Sequence, residues 1–218
     1  MPHVSIGDAE IYYEEQGQGP ALMLVPGLGG QGAFWGPQMR DFSRDFRVIV
    51  HDHRGAGRST HSRIQYSVDQ MAADTVALMD RLGVDRAHYV GHSTGGAIGQ
   101  TIAQDHPDRL GSLVLSATWA GQDAYFRRCF ETRKELLLHR GFESYWRASV
   151  VMLRPSVGSR CASNVSVLRS ASWRNGLLTT SCRLPKNTSS ASTVTVPDSI
   201  FERSRMSLMS VSRSLPDE

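Results

Sequence analysis

A serine between two glycines is the clearest candidate for chemistry in this sequence. The stretch Val90–Gly96 reads V-G-H-S-T-G-G, so Ser93 stands at the centre of a G-x-S-x-G motif. An apolar run, Ala87–Val90, precedes the motif, and a run of small and apolar residues follows it. Strand, motif and helix in this order predict a nucleophile elbow, a sharp turn that exposes a strained serine hydroxyl. Gly91 and Gly95 suit such a turn, because side chains there would keep the strand and helix apart.

A glycine-rich loop, Pro26–Gly30, follows an apolar run of strand length at Ala21–Val25. It has neither the G-K-[ST] ending of a phosphate-binding P-loop nor the G-x-G-x-x-G spacing of a dinucleotide site. Together with the serine motif, the loop favours half of an oxyanion hole, with the backbone N–H of Leu28 as one donor. We expect Gly27 and Gly29 to line the site.

Asp52 and His53 come directly after another apolar run, Arg47–His51. Adjacent residues that leave a strand point to opposite sides, so we interpret this pair as structural and not catalytic. Asp52 and Arg54 are expected to brace loops near the site, and His53 to line it.

A general base for Ser93 is not evident, because the last of the eight histidines is His139. His53 and His92 are the nearest candidates in sequence, and we expect both to line or support the site. Asp123 is a candidate for the catalytic acid, with a carboxylate at a helix N-terminus as the alternative.

The elements that must position these residues alternate along the chain. We predict a hairpin from strands at Val4–Ile6 and Glu10–Glu14, and further strands at residues 21–25, 47–51, 87–90 and 110–116. We predict helices at residues 34–45, 68–82 and 97–103. Ser67 is expected to be the N-cap of the second helix, and the third helix is expected to end before Pro107. This alternation predicts an α/β fold, a three-layer, doubly wound and mostly parallel sheet. Ligands of such sheets bind beyond the carboxyl ends of the strands, where the loops and Ser93 meet.

The pattern changes after the sheet. Helical segments at Tyr125–Phe130, Lys134–Leu138 and Phe142–Trp146 carry aromatic residues. They predict a helical cap over the crevice, with Trp119 lining the site, or alternatively an ordinary pair of core helices. We divide the chain into a core at 1–118, a cap segment at 119–155 and a tail at 156–218.

The tail has an unusual composition. Residues 156–218 contain 16 serines and four acidic residues, whereas residues 1–155 contain 10 serines and 17 acidic residues. Only Ser192–Val196 and Ile200–Phe201 hint at strands. Such a segment buries little apolar surface to offset its ordering entropy. We interpret the tail as frame-disrupted or poorly ordered, with a divergent tail and a region completed by a partner chain as alternatives.

The composition sets the class of protein. A hydrophobic content of 40%, a charged content of 21% and a net charge of +3 are typical of a soluble globular protein. No basic run predicts nucleic-acid binding, and no apolar run or signal peptide predicts a membrane association. The three irregularly spaced cysteines predict neither disulfides nor a zinc site. We therefore expect a cytoplasmic protein, and no residue pattern predicts a metal or other cofactor.

From Ile11 to Pro155 the chain resembles the α/β-hydrolase family. The loop Pro26–Gly30, the segment Asp52–Ser59, the serine elbow and the helical insertion follow one another in the family's order. Within the family, the chain is most similar to 3-oxoadipate enol-lactonases and to the aminoacrylate hydrolase of pyrimidine degradation, whose cap the segment Arg127–Arg133 resembles.

The resemblance implies Ser93 as nucleophile and the N–H groups of Thr94 and Leu28 as the oxyanion hole. It implies hydrolysis of a small ester or enol-lactone through an acyl-enzyme, or alternatively of an aminoacrylate or carbamate C–N bond. A late acid and a late histidine, which the family order also implies, are not found in this sequence. A catalytically impaired binding protein and a frame-disrupted product therefore stay open.

Overall fold

The computed structural model describes residues 2–152, 165–169, 178–181 and 193–196. Within these residues, nine strands form one sheet in the order β1-β2-β4-β3-β5-β6-β7-β8-β9. Their bounds are β1 His3–Ser5, β2 Glu10–Gln16, β3 Ala21–Val25, β4 Arg47–His51, β5 Ala87–His92, β6 Leu110–Ser116, β7 Val165–Arg169, β8 Leu178–Ser181 and β9 Thr193–Val196. Strands β4, β3, β5 and β6 are parallel to one another. The predicted α/β fold, with parallel strands at the centre of its sheet, is confirmed.

In the described part of the chain, four α-helices connect or follow the central strands: α1 Gly36–Phe42, α2 Val68–Arg81, α3 Thr94–Asp105 and α4 Ala124–Met152. Short 3₁₀ turns at Gly32–Trp35 and Pro107–Arg109 precede α1 and β6. Helix α4 is interrupted at Gly141, whose φ of 77° is not helical. Among the helices of the described residues, none is both long and apolar enough to cross a membrane.

The continuous apolar runs of the central strands are explained by helices on both faces of the sheet. On β3, Leu22 and Leu24 pack in one buried cluster with Met39 of α1. The alternate residues Met23 and Val25 pack in a second cluster with side chains of α2 and α3. Because side chains alternate across a strand, a strand covered on both faces is apolar throughout.

Local signals set several boundaries where the sequence predicts them. The Ser67 hydroxyl accepts a hydrogen bond from Gln70 N–H and caps α2. Helix α3 ends at Asp105, two residues before Pro107, since the residue before proline resists helical geometry. Helix α1 is shorter than predicted: Pro37 stands in its first turn, and a separate 3₁₀ turn replaces the expected start at residue 34.

The sheet continues beyond β6 with three antiparallel strands, in a tail where the sequence gives only two hints of strands. Strand β7 pairs antiparallel with β6, β8 with β7 and β9 with β8. The hint of a strand at residues 192–196 is confirmed by β9, whereas the hint at residues 200–201 lies outside the described residues. The division into core, cap and tail, and the frame-disrupted origin of the tail, stay predictions.

A buried ion pair joins the loop after β4 to helix α2. Arg54, with a side chain only 2% exposed, donates from Nε and Nη2 to the two oxygens of Asp74 at 2.8 and 2.7 Å. Its Nη1 donates to Asp8, a carboxylate at the surface, at 2.9 Å. The hydrogen bonds that Arg54 donates to Asp74, and then the one it donates to Asp8, raise the pKa of Arg54 above its usual range. The pair fixes the loop that carries His53.

We expect Asp74→Ala to lower the free energy of unfolding by about 3 kcal/mol, because it leaves a buried guanidinium without its main partner. Urea denaturation followed by circular dichroism measures this change. Asp8→Ala is the matched control, since it removes the exposed carboxylate from the same guanidinium and is expected to have a much smaller effect. Equal losses in the two variants would contradict a dominant buried pair.

Candidate active site

Ser93 lies at the turn between β5 and α3. Its φ of 54° and ψ of −118° are strained for a residue with a side chain. Ser93 N–H donates to the carbonyl of Ser116 on β6 at 2.8 Å, and Gly96 N–H donates to the carbonyl of Ser93 at 2.9 Å. The surrounding strand and helix therefore hold the strained backbone in place.

Three glycines allow close packing around this turn: Gly91 between β5 and α3, Gly95 between α3 and the end of β3, and Gly96 between α3 and the residues after β6. A Cβ at Gly91 would collide with the backbone of Gly95, and a Cβ at Gly95 would collide with the carbonyls of Val25 and Pro26. A Cβ at Gly96 would lie 2.6 Å from Cβ of Thr118. The motif thus has the steric function that the sequence predicts.

The glycine-rich loop after β3 lies against the serine. A Cβ added at Gly27 would stand 3.2 Å from Cβ and 3.6 Å from Oγ of Ser93. Gly30 N–H donates to the Gly27 carbonyl at 2.9 Å, and Gly29 has a φ of 65°. The next residue after Gly27, Leu28, has a side chain that is 45% exposed.

Thr94 is the first residue of α3, where backbone N–H groups have no acceptor within the helix. The residue is buried, and its side-chain Oγ1 has no hydrogen-bond partner among the described residues. A backbone donor at the start of a helix is well placed to stabilise negative charge.

His53 is buried and engaged elsewhere. Its Nε2 is 3.0 Å from the carbonyl of Pro26, and because a carbonyl only accepts, Nε2 must carry the proton. Its ring meets the buried ring of His51 edge to face, with centroids 5.1 Å apart. Burial lowers the pKa of His53 below its ordinary value. The neutral His53 ring supports the glycine-rich loop through its hydrogen bond to the Pro26 carbonyl.

His92 faces the opposite side of the turn. Its ring stacks on Phe34, with centroids 5.0 Å apart, and its Nδ1 is 3.4 Å from the hydroxyl of Ser116. Burial lowers its pKa as well. All eight histidines belong to the described residues, and no described histidine forms a hydrogen bond with Ser93 Oγ.

The carboxylates near the loops have structural partners. Asp52 is fully buried; its Oδ1 accepts from Gly32 N–H at 2.8 Å, and its Oδ2 accepts from Arg58 N–H at 2.9 Å. Asp123 accepts from Phe126 N–H at 2.7 Å and so caps α4. Asp52 thus braces its loop as predicted, and Asp123 makes the helix N-terminal contact that was the alternative to a catalytic role.

A cavity of about 440 Å³ lies between these loops and the cap helix α4. The loops contribute Leu28, Gly29 and His53, whereas Ser93 and Trp119 are not among the lining residues. Trp119 instead packs on Phe126 of α4, with ring centroids 4.8 Å apart. The lining comprises Leu28, Gly29, His53, Arg54, Gly55, Ala56, Tyr66, Met71, Gln122, Phe126, Arg127, Phe130, Arg133, Lys134, Leu137, Leu138 and Tyr145.

The sequence analysis assigns no individual role to several polar residues of this lining, among them Tyr66 and Arg133. A signal for Arg133 exists: it lies three residues after Phe130 and four before Leu137, on the face of α4 that also carries Phe126. Tyr66 stands in a loop, where no periodicity indicates its direction. Within the described residues, no group of histidine, cysteine and acidic side chains has the arrangement of a metal site.

The chain is similar to known proteins in its sequence and in its fold. Residues 20–164 match the family described as alpha/beta hydrolase fold. Two proteins named as the putative carbamate hydrolase RutD are similar in sequence. The protein from Azorhizobium caulinodans is 41% identical over 77% of this chain and 63% of its own length. The protein from Caulobacter vibrioides is 43% identical over 72% of this chain and 60% of its own length.

Among solved structures, the enol-lactonase from Burkholderia xenovorans LB400 matches with a TM-score of 0.61 and 27% identity, over 70% of this chain and 64% of that one. The chain spans about three fifths of the length of the curated relatives it matches. The matched family segment covers the elbow, the glycine-rich loop and the cap helix. The chain belongs to the α/β-hydrolase family.

Proposed function

We propose that this protein hydrolyses a small-molecule ester or enol-lactone with Ser93 as nucleophile. The observation that carries the proposal is the strained turn of Ser93, with the Gly27 loop packed against its side chain. Such strain is costly and is found where a group must be presented for reaction. The similarity to an enol-lactonase structure supports the same substrate class.

In the proposed reaction, Ser93 Oγ attacks the carbonyl carbon of the substrate, and its hydroxyl proton passes to solvent water, which returns a proton to the leaving oxygen. The N–H groups of Leu28 and Thr94 stabilise the oxyanion of the tetrahedral intermediate. Collapse of the intermediate expels the alcohol or enolate and leaves an acyl-enzyme, which water then hydrolyses. Two features support these donors: Thr94 begins α3, and Leu28 follows the glycine that contacts Ser93.

A second candidate function is hydrolysis of the C–N bond of an aminoacrylate or carbamate. The similarity to two proteins named as carbamate hydrolases, at 41% and 43% identity, favours it. This reaction makes a greater demand on a general acid, because an amine is a poorer leaving group than an enolate.

A catalytically impaired binding protein or a frame-disrupted product is the third candidate. The observation in its favour is that no described histidine reaches Ser93 Oγ, although all eight histidines are described. A serine hydroxyl without a base is a poor nucleophile.

We place the protein in the cytoplasm, on the strength of its three irregularly spaced cysteines.

Ser93→Ala is expected to abolish both labelling by a fluorophosphonate probe and hydrolysis of an aryl ester, because it removes the hydroxyl that the strained turn presents. The fold should persist, since only Oγ is removed. Probe fluorescence on a gel and the kcat/KM for the ester measure the two effects, with circular dichroism as the control for folding. Wild-type turnover by the variant would rule out the serine mechanism.

His53→Gln tests whether His53 is the missing base. A glutamine N–H can still donate to the Pro26 carbonyl, so we expect kcat/KM for an activated aryl ester to fall by less than about tenfold, whereas loss of a true base costs on the order of 10⁴-fold. For the same reason, the rate of the 218-residue chain should show no histidine limb between about pH 5 and pH 8. A large loss in His53→Gln, together with a limb below the ordinary histidine pKa, would identify His53 as the base.

A further inference from the structure

Thr94, the residue after the nucleophile, has a side-chain hydroxyl whose hydrogen-bonding capacity is unused. The residue is fully buried, and its Oγ1 has no hydrogen-bond partner among the described residues. A buried hydroxyl without a partner is costly, because it loses its hydrogen bonds to water and gains none in the protein. Such groups are uncommon in folded proteins, and each calls for a physical explanation.

The position of Thr94 explains why the usual partner does not serve it. A threonine inside a helix commonly donates its hydroxyl to the carbonyl three or four residues earlier. Two threonines of this chain do so: Thr75 donates to the Met71 carbonyl and Thr132 to the Arg128 carbonyl, both at 2.8 Å. Thr94 is the first residue of α3, so the residues three and four positions earlier belong to β5. Its hydroxyl therefore needs an acceptor from outside the helix.

A second hydroxyl without a partner lies against the first turn of α3. A Cβ added at Gly96 would lie 2.7 Å from Oγ1 of Thr118, and this oxygen also has no hydrogen-bond partner among the described residues. Thr118 follows β6 and is distant from the nucleophile in sequence, whereas Thr94 is bonded to it directly. The two threonines thus share a chemical group and a location at the start of α3, but only one is attached to Ser93.

The backbone of Thr94 shows which acceptor its hydroxyl can reach. Its N–H is one of the two donors to the oxyanion in the proposed reaction. The N and Oγ1 atoms of a threonine are separated by three bonds, so a staggered χ1 brings the hydroxyl close to an oxygen that the N–H of the same residue holds. The acceptor that satisfies this hydroxyl is then the oxyanion, which exists only while the reaction proceeds.

We propose that Thr94 is a catalytic residue whose hydroxyl donates a third hydrogen bond to the oxyanion of the tetrahedral intermediate. This inference rests on the proposed function, because its acceptor forms only when Ser93 attacks the substrate. A hydrogen bond to a charged oxygen is stronger than one to a neutral oxygen. The hydroxyl stabilises the transition state more than the bound substrate, so it raises kcat and leaves KM unchanged.

The test is the rate at which an alkyl fluorophosphonate labels Ser93 in the intact 218-residue chain. Ser93 Oγ forms a bond to phosphorus, the phosphorus–fluorine bond breaks to release fluoride, and the hydroxyl proton passes to solvent water. The phosphoryl oxygen gains negative charge in this step and takes the place of the oxyanion. Thr94→Val removes the hydroxyl and keeps the branched shape, so we expect a second-order labelling rate constant at least about tenfold lower. Thr94→Ser keeps a hydroxyl and should retain most of the rate.

Stability separates this role from a structural one. Because an unsatisfied buried hydroxyl destabilises the folded state, Thr94→Val should unfold at the same urea concentration as the wild type or at a higher one. Thr118→Val is the matched control: it removes the second hydroxyl without a partner, so its stability should respond in the same way while the labelling rate stays unchanged. In steady-state hydrolysis of an aryl ester, Thr94→Val should lower kcat and leave KM unchanged.

Three results would overturn the inference. They are an unchanged labelling rate in Thr94→Val, an equal loss of rate in Thr94→Val and Thr118→Val, and a loss in Thr94→Val that Thr94→Ser shares in full. If Thr94→Val does not fold, or unfolds at a lower urea concentration, the labelling rates of Thr94→Ser and Thr94→Ala decide the question. Equal rates in that pair would assign the hydroxyl a structural contact, and a slower alanine variant would support the third donor.

Failure of the proposed function has a different signature. A wild type that the fluorophosphonate does not label would reject Ser93 as the nucleophile, and the third donor with it. A wild type that is labelled at Ser93, with Thr94→Val labelled equally fast, would leave the hydrolase standing and reject only the role of the Thr94 hydroxyl.

Discussion

The close approach of β5 and α3 at Ser93 is the constraint on which the rest of the site depends. A non-glycine residue at φ 54° and ψ −118° is held at a cost of about 1–3 kcal/mol. Packing around the turn offsets this cost, because Tyr89 is fully buried and donates to the Gly95 carbonyl at 2.9 Å. The helix start then falls directly after the serine, so the backbone N–H of Thr94 is set by the same turn.

The loops on either side are fixed by buried polar groups. His53 holds the Pro26 carbonyl at one end of the glycine-rich loop, and Asp52 holds the N–H of Gly32 just beyond its other end. Both residues belong to the loop after β4, which Arg54 anchors to α2. Two loops that are distant in sequence are thereby coupled. This role explains why residues that resemble a catalytic pair are buried and fully engaged.

The sequence predicts features that depend on local chemistry. The bounds of β3, β4 and β6 follow from apolar runs covered on both faces, and the elbow follows from its glycines. Features that depend on pairing between distant segments are not predictable in this way. The antiparallel addition of β7 to β6 needs a register that no local signal specifies. The choice between the two roles of Asp123 likewise needed the position of the Phe126 N–H.

One interruption in helix α4 allows its two halves to contact each other. The non-helical Gly141 lets the second half of α4 fold back, so that Tyr145 and Ser149 reach Arg133 in the first half. A continuous helix would place residues 12 and 16 positions apart about 18 and 24 Å from each other along its axis. The kink therefore orients the Arg133 guanidinium through hydrogen bonds that a continuous helix could not make. Since the buried contacts of the cap share no residue with the elbow, substitutions in the cap can change these contacts while the tightly packed glycines of the elbow stay unchanged.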